Sequence, residues 1–256
     1  MNLKIKPHKA KILLVDIETF PNIGYSWAKY EQNIIDFIEH WYILCIGYKW
    51  LGGKTKVMGL PDFKGYKAGG KDEALVRFIW KLLDEADICV AQNGNDFDFK
   101  KINTRFLYYG LTPPSPYATV DTLQVARRKF AFNSNKLDDL GRDLEIGRKV
   151  ENQGFPLWLR CEKGEKKAWA LMKKYNRRDV DLLEELYLKE LPYISNHPNL
   201  DVYSNLPVCP RCGSSKIQNR GESITQTYIY QRFQCQTCGG WGRYVKGQRN
   251  SIIKTV

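Results

Sequence analysis

An apolar run that turns acidic at alternate positions constrains this chain more than any other feature. Lys11-Ile12-Leu13-Leu14-Val15 has the character of a short strand buried on both faces. It leads straight into Asp16-Ile17-Glu18-Thr19. Side chains alternate along a strand, so Asp16 and Glu18 project from one face. Two such carboxylates at the end of an apolar strand repel each other and are costly to desolvate. A divalent cation relieves both problems, and hard oxygen ligands suit Mg²⁺ or Mn²⁺. A strand emerging into solvent explains the same pattern, so the pair needs company before it defines a site.

Two further segments supply that company. In Asn93-Gly94-Asn95-Asp96-Phe97-Asp98 a strand hands over to a helix, with Gly94 allowing a tight path and Phe97 expected to anchor the loop. Asp98 then falls at the helix N-terminus, where a negative charge is tolerated and where an aspartate also serves as a plain cap. Asp96 is expected to be exposed. In Tyr175-Asn176-Arg177-Arg178-Asp179 the tyrosine and the final aspartate are four apart on a long helix, hence on one face. Leu171, Leu182 and Leu186 share that side, so Asp179 looks inward and Asp181 elsewhere.

Local patterning gives the order of elements. Lys11–Val15, Trp41–Trp50 and Lys54–Leu60 read as a three-stranded meander, with Gly52-Gly53 as a turn. A helix is predicted over 71–86, a strand over 88–91 and a helix over 99–109 closed by Gly110. A short extended piece ends at Val120, and helices follow near 122–129, 135–144 and 166–191. This is the order of an α/β, ribonuclease H-like mixed sheet with flanking helices. Residues 1–198 are assigned to that domain, the polar stretch 199–206 to a linker and 207–256 to a small C-terminal module.

The three acidic segments together resemble the DEDD exonuclease superfamily, which includes proofreading domains of DNA polymerases. Its first motif, Asp-x-Glu, is matched by Asp16 and Glu18. Its second, an Asn followed by an aromatic and Asp, is matched by Asn93, Phe97 and Asp98. Its third, in the tyrosine branch, is matched by Tyr175 and Asp179. Asp121-Thr122-Leu123 and the stretch from Asn133 to Asp138 look like stand-alone phage and bacterial nucleases related to family-B polymerase proofreading domains.

The resemblance implies a 3′→5′ exonuclease hydrolysing phosphodiesters with two Mg²⁺ or Mn²⁺ ions about 3.5–4 Å apart. Asp16 would bridge the ions, Glu18 and Asp179 would hold the one that activates water, and Asp98 would help place the second. Tyr175 would orient the attacking water, since a phenol with a pKa of about 10 is a poor base at neutral pH. Thr19 and Phe20 are candidates to contact the terminal nucleotide, or else turn and packing residues. The run Arg127-Arg128-Lys129 faces either phosphates or solvent. Single-stranded DNA or fraying duplex ends are the preferred substrate. RNA, structure-specific endonuclease action and a non-catalytic binding role stand as alternatives.

The C-terminal module has its own signature. Cys209-Pro210-Arg211-Cys212-Gly213 and Cys235-Gln236-Thr237-Cys238-Gly239 are two Cys-x-x-Cys knuckles separated by 22 residues. Two such hairpins can place four thiolates around one structural Zn²⁺, and the spacing resembles a zinc ribbon. Of the 7 cysteines, Cys45 and Cys89 read as core, and Cys161, isolated in a polar stretch, is assigned no role.

The formal net charge of +12 suits a polyanion, and nucleic acid is the commonest one. Residues 203–256 carry eight Lys and Arg against Glu222 alone, or +7. In the strand expected over 225–235, Ile229 and Phe233 can pack inward while Tyr228, Tyr230, Arg232 and Gln234 line the other side. Rings and cations on one face suit stacking on unpaired bases. Docking to a replication or repair protein is the alternative use. The start of the sequence, Met1 to Lys6, lacks the apolar core of a secretory signal, and no run approaches the ~20 apolar residues of a membrane helix. The chain therefore reads as intracellular, in the host cytoplasm if phage-encoded.

Overall fold

The computed structural model describes residues 9–30 and 33–249; Met1 to Lys6 and the end of the basic tail, with Lys254, lie outside them. Strand β1 (Ile12–Phe20) runs through both acids and five residues beyond the initial apolar run. It is followed by a short hairpin, β2 (Ile23–Tyr25) and β3 (Asp36–Glu39), that sequence patterning does not reveal. Strands β4 (Tyr42–Trp50) and β5 (Lys56–Gly59) complete the expected meander. Helix α1 (Glu73–Glu85), strand β6 (Ile88–Ala91), helix α2 (Asp98–Tyr108) and strand β7 (Ala118–Asp121) come next. They precede α3 (Thr122–Lys129), α4 (Leu137–Asp143), α5 (Phe155–Glu162) and the long α6 (Lys166–Glu190).

The main sheet has the order β5-β4-β1-β6-β7. β4 is antiparallel to β1, whereas β6 pairs parallel to β1 and β7 parallel to β6. Both faces of the sheet are covered, which is why β1, β4 and β6 are apolar almost throughout. Leu13, Val15 and Ile17 face a core with Leu75, Ile79 and Ile102, whereas Ile12 and Leu14 face one with Val180, Leu183 and Tyr187 of α6. Cys161, left without a role on the sequence, is a fully buried residue of the first core. Its neighbours along the chain are polar because α5 buries only one side. No helix among the described residues is long and apolar enough to cross a membrane.

Two polar contacts fix the frame. Asp72, fully buried just before α1, accepts from the Ile43 amide of β4 (2.8 Å), from the Arg105 guanidinium of α2 and from the Tyr109 hydroxyl. On the opposite side α6 crosses the sheet at Gly47, the residue paired with Asp16. A Cβ at Gly47 would lie 2.7 Å from Asn176 Oδ1 and 2.8 Å from a Val180 methyl. The missing side chain thus sets how closely the helix approaches the acidic strand.

Beyond α6, three strands form a second antiparallel sheet in the order β10-β9-β8: β8 (Ile217–Ile224), β9 (Tyr228–Cys235) and β10 (Trp241–Arg249). The stretch expected to be a plain linker contains a 3₁₀ turn over Leu200–Tyr203, with Leu200 buried against the α6 core.

Gly47→Ala is expected to overpack the helix–sheet contact and destabilise the chain by about 1–3 kcal/mol. Denaturant unfolding checks this; an unchanged midpoint would show that α6 yields freely at that position.

Candidate active site and cysteine cluster

β1 pairs with β6 only from Ile12 to Leu14, so its acidic half runs on past the end of its parallel neighbour. There the first turn of α2 takes over, and Asp98 Oδ1 accepts the Ile17 amide at 3.0 Å. Asp98 is 3% exposed and caps the sheet rather than its own helix. Phe97, the expected anchor of that loop, is instead partly exposed, beneath the Lys101 ammonium at 5.2 Å. The anchoring ring is Phe99, which packs against the space left by Gly94. Asp96 is exposed, as expected, and pairs with Lys100.

Carboxylate oxygens of Asp16, Glu18 and Asp179 all lie within 4.8 Å of one another. Asp98 stands outside that trio yet close enough for its charge to act on Asp16 and Glu18. Burial, then the charges of Glu18, Asp98 and Asp179, hold the Asp16 carboxyl well above the ordinary range. Burial and the charge of Asp179 push Glu18 up to about 8. Burial lifts Asp98 to about 7 against the pull of its amide bonds. Burial raises Asp179 as well, opposed by Lys149 and the Tyr175 hydroxyl. One oxygen of Asp179, Oδ1, is buried without a hydrogen-bond partner. A cluster of acids that resist ionisation, with an orphaned oxygen inside it, has the donor set of a divalent-cation site.

Two members escape a sequence reading. Asn176, fully buried on α6, donates to the Asp16 carboxylate at 2.5 Å and to its backbone oxygen at 3.1 Å. Lys149 donates to Asp179 Oδ2 at 2.7 Å and to the Tyr175 hydroxyl at 3.3 Å. Its loop is tied down where Asp138 accepts the Lys149 amide, and where Arg178 donates to the carbonyls of Ile146 and Arg148. Asn176 sits inside the Tyr-x-x-x-Asp motif, so the helical period could have flagged it; Lys149 carries no local signal.

Asn93 adopts a left-handed backbone (φ 62°), and its amide donates to Asp121 at 2.9 Å. Asp121 also accepts from Asn95 and from Leu123 at the start of α3, so one carboxylate orders both the loop and the helix. A cleft of about 700 Å³ opens beside the acids, lined by Asp16, Asn93, Arg127, Ser134, Asp138 and Lys149 among others. Thr19 is half-buried at a bulge that follows Glu18. Phe20, the other candidate nucleotide contact, is a core ring instead: 1% exposed and stacked on Tyr42 at 5.3 Å. At that bulge Leu44 of β4 has no partner in β1, and beyond it Phe20, paired with Tyr42, belongs to the first core.

The four knuckle cysteines also converge. Their sulfurs lie within 4.8 Å of one another, with Cys209–Cys238 at 3.7 Å and Cys212–Cys235 at 3.6 Å. Four thiolates around one zinc stand about 3.8 Å apart, given Zn–S bonds of about 2.3 Å, so the cluster fits a zinc ribbon. The knuckles are twins: in each, the glycine after the second cysteine is left-handed (Gly213 φ 69°, Gly239 φ 76°) and donates to the first cysteine's carbonyl. Cys212 and Cys238 abut the core that holds Tyr187 of α6 and Leu191 just beyond it, and Arg211 donates to the Ile194 carbonyl.

The profile of the family RNase_H_2, of the RNase_H superfamily, matches residues 39–189. The match spans more than half of the chain, which therefore belongs to the RNase_H superfamily; Asp16 and Glu18 lie before its start. In fold the chain is similar to the family B DNA polymerase of the hyperthermophilic archaeon Pyrobaculum calidifontis, at 15% identity and a TM-score of 0.50. The likeness covers 86% of this chain and 32% of the polymerase, so the chain spans about a third of its length. No curated protein matches the sequence.

Without added divalent ions, the raised acids make the fold a better proton binder than the unfolded chain. The stability that Glu18 and Asp98 contribute is complete below their ordinary values of 4.5 and 3.8 and is lost as pH rises through about 8 and about 7. Melting temperature in magnesium-free buffer should fall over that window, and added Mg²⁺ or Mn²⁺ should recover most at its upper end. A flat magnesium-free profile would contradict the electrostatics described.

Proposed function

We propose that the chain is a metal-dependent 3′→5′ exonuclease of the tyrosine branch, cutting single-stranded DNA in preference to RNA. One observation carries the reading: three carboxylates crowded together beside Asp98, with the Tyr175 hydroxyl and an unpartnered Asp179 oxygen among them. Membership of the RNase_H superfamily supports nuclease chemistry in general.

The residues that would hold the ions are Asp16, Glu18 and Asp179, with Asp98 completing the charge. Divalent ions bound there make water a nucleophile near neutral pH and offset charge on the phosphate. Burial, with the nearby Asp179 charge, keeps the Tyr175 phenol protonated well past neutral pH, so its hydroxyl orients water rather than taking a proton. Lys149 presents a positive charge between Tyr175 and Asp179 and holds both in place. Asn176 fixes the Asp16 carboxylate. Arg127 and Lys149, with Asn93 and Ser134, would meet the strand in the cleft, and Thr19 its terminal nucleotide. The reading divides the chain into a nuclease domain (1–198), a connecting segment (199–206) and a zinc ribbon (207–256).

A time course on a 5′-labelled single-stranded DNA, with a matched RNA, in Mg²⁺, Mn²⁺ and EDTA tests this. A metal-dependent ladder shortening from the 3′ end is expected; internal cuts would favour an endonuclease, and intact strands in every metal would overturn the assignment. Asp16→Asn is expected to abolish cleavage while binding persists. Tyr175→Phe should slow hydrolysis about 10–100-fold without unfolding the domain. For the cysteines, one zinc per chain is expected by elemental analysis, and Cys235→Ser should lose it together with several degrees of melting temperature.

A further inference from the structure

The pairing of the second sheet sorts its side chains more sharply than β9 alone can. In antiparallel pairing, residues directly opposite share a face. Tyr230 lies opposite Gly247 and Ser223, Arg232 opposite Arg243, Tyr228 opposite Arg249, and Gln234 opposite Trp241 and Gln218. One face therefore gathers Tyr228, Tyr230 and Trp241 with Arg232, Arg243 and Arg249. Glu222, the only acid of residues 203–256, is paired with Gln231 and falls on the other face, where Phe233 packs against Tyr244.

The rings and guanidinia are already arranged as a stack. Tyr228 and Tyr230 lie 5.9 Å apart at 29°. Arg243 sits 4.1 Å from the centre of Tyr230, and Arg232 sits 4.8 Å from that of Trp241. A Cβ on Gly247 would come within 2.5 Å of the Tyr230 ring, so that ring leans across β10 where no side chain stands. Tyr228 and Trp241 keep about two-fifths of their surface open, at 39% and 42%. An exposed run of rings alternating with cations and free of carboxylates matches a strand of unpaired bases with its phosphates. An acidic protein segment would match the arginines but leave the rings unused.

We infer that this face of the β8–β9–β10 sheet is a second nucleic-acid site, separate from the carboxylate cleft, which holds single strands by stacking bases on Tyr228, Tyr230 and Trp241. For the class of ligand it rests on the nuclease reading, but its test does not require cleavage.

The test uses the full chain carrying Asp16→Asn, so that the ligand survives, and a fluorescein-labelled oligothymidylate read by anisotropy at fixed salt. Tyr230→Ala and Trp241→Ala should each weaken binding about tenfold, whereas Tyr230→Phe should stay within about twofold. Arg243→Ala should reduce the slope of log affinity against log salt by about 0.7. Zinc content and circular dichroism, unchanged in each variant, exclude a collapsed ribbon. Alanine variants that bind like the parent, or a duplex held as tightly as the single strand, overturn the inference. Cleavage with ring-independent binding would leave the nuclease and remove this site; ring-dependent binding by a wild-type chain that cuts nothing would do the reverse.

Discussion

The burial of four carboxylates, made costlier by their mutual repulsion, is the constraint on which the rest of this structure depends. Asp16, Glu18, Asp98 and Asp179 come from three separate segments, and each raises the cost of ionising another. Folding must bring them together against that repulsion, and three of the four are held from behind. Asp98 is gripped by the β1 amide it accepts, Asp16 by Asn176, and Asp179 by Lys149. Within that ring Lys149 supplies positive charge without neutralising the whole cluster. A divalent ion would complete the compensation; without one the buried acids take up protons more readily than free carboxylates do.

Much of this was legible in the sequence because the signals are local. The alternation Asp16, Glu18 places two acids on one face, and the spacing of Tyr175 and Asp179 places two groups on one turn. Strand β6 and helices α3 and α6 announce themselves through apolar period and clear end signals. What escaped is non-local or short. Strands β2 and β3 have three and four residues, nearly all exposed, and hence no burial pattern to read. Helix α5 follows Gly154 and opens on Phe155-Pro156, which mimics a loop until the partners that bury Leu157 and Cys161 are known. Lys149 enters the site from a loop whose path is set by Asp138 and Arg178. Phe20 is taken into the core through its stack on Tyr42, a partner that no local pattern names.

The second sheet divides in the same way. Its cysteine spacing is a strong local signal, and so is the two-faced pattern of β9. The contribution of β10 depends on register, since two extra residues between Arg243 and Gly247 decide what stands opposite Tyr230.

Helix α6 ties the two halves to one beam. It presents Tyr175, Asn176 and Asp179 to the acids and Tyr187, two turns further on, to the core that abuts Cys212 and Cys238, where Leu191 just past its end joins it. From Asp179 to Tyr187 is eight residues, a rise of about 12 Å along the axis. A chain severed within 199–206 would uncover Tyr187, Leu191 and Ile194 and leave the far end of the beam wet. The cysteine module is thus a gable wall of the same house rather than a detachable annex, and a chain without it would need new apolar cover at that end.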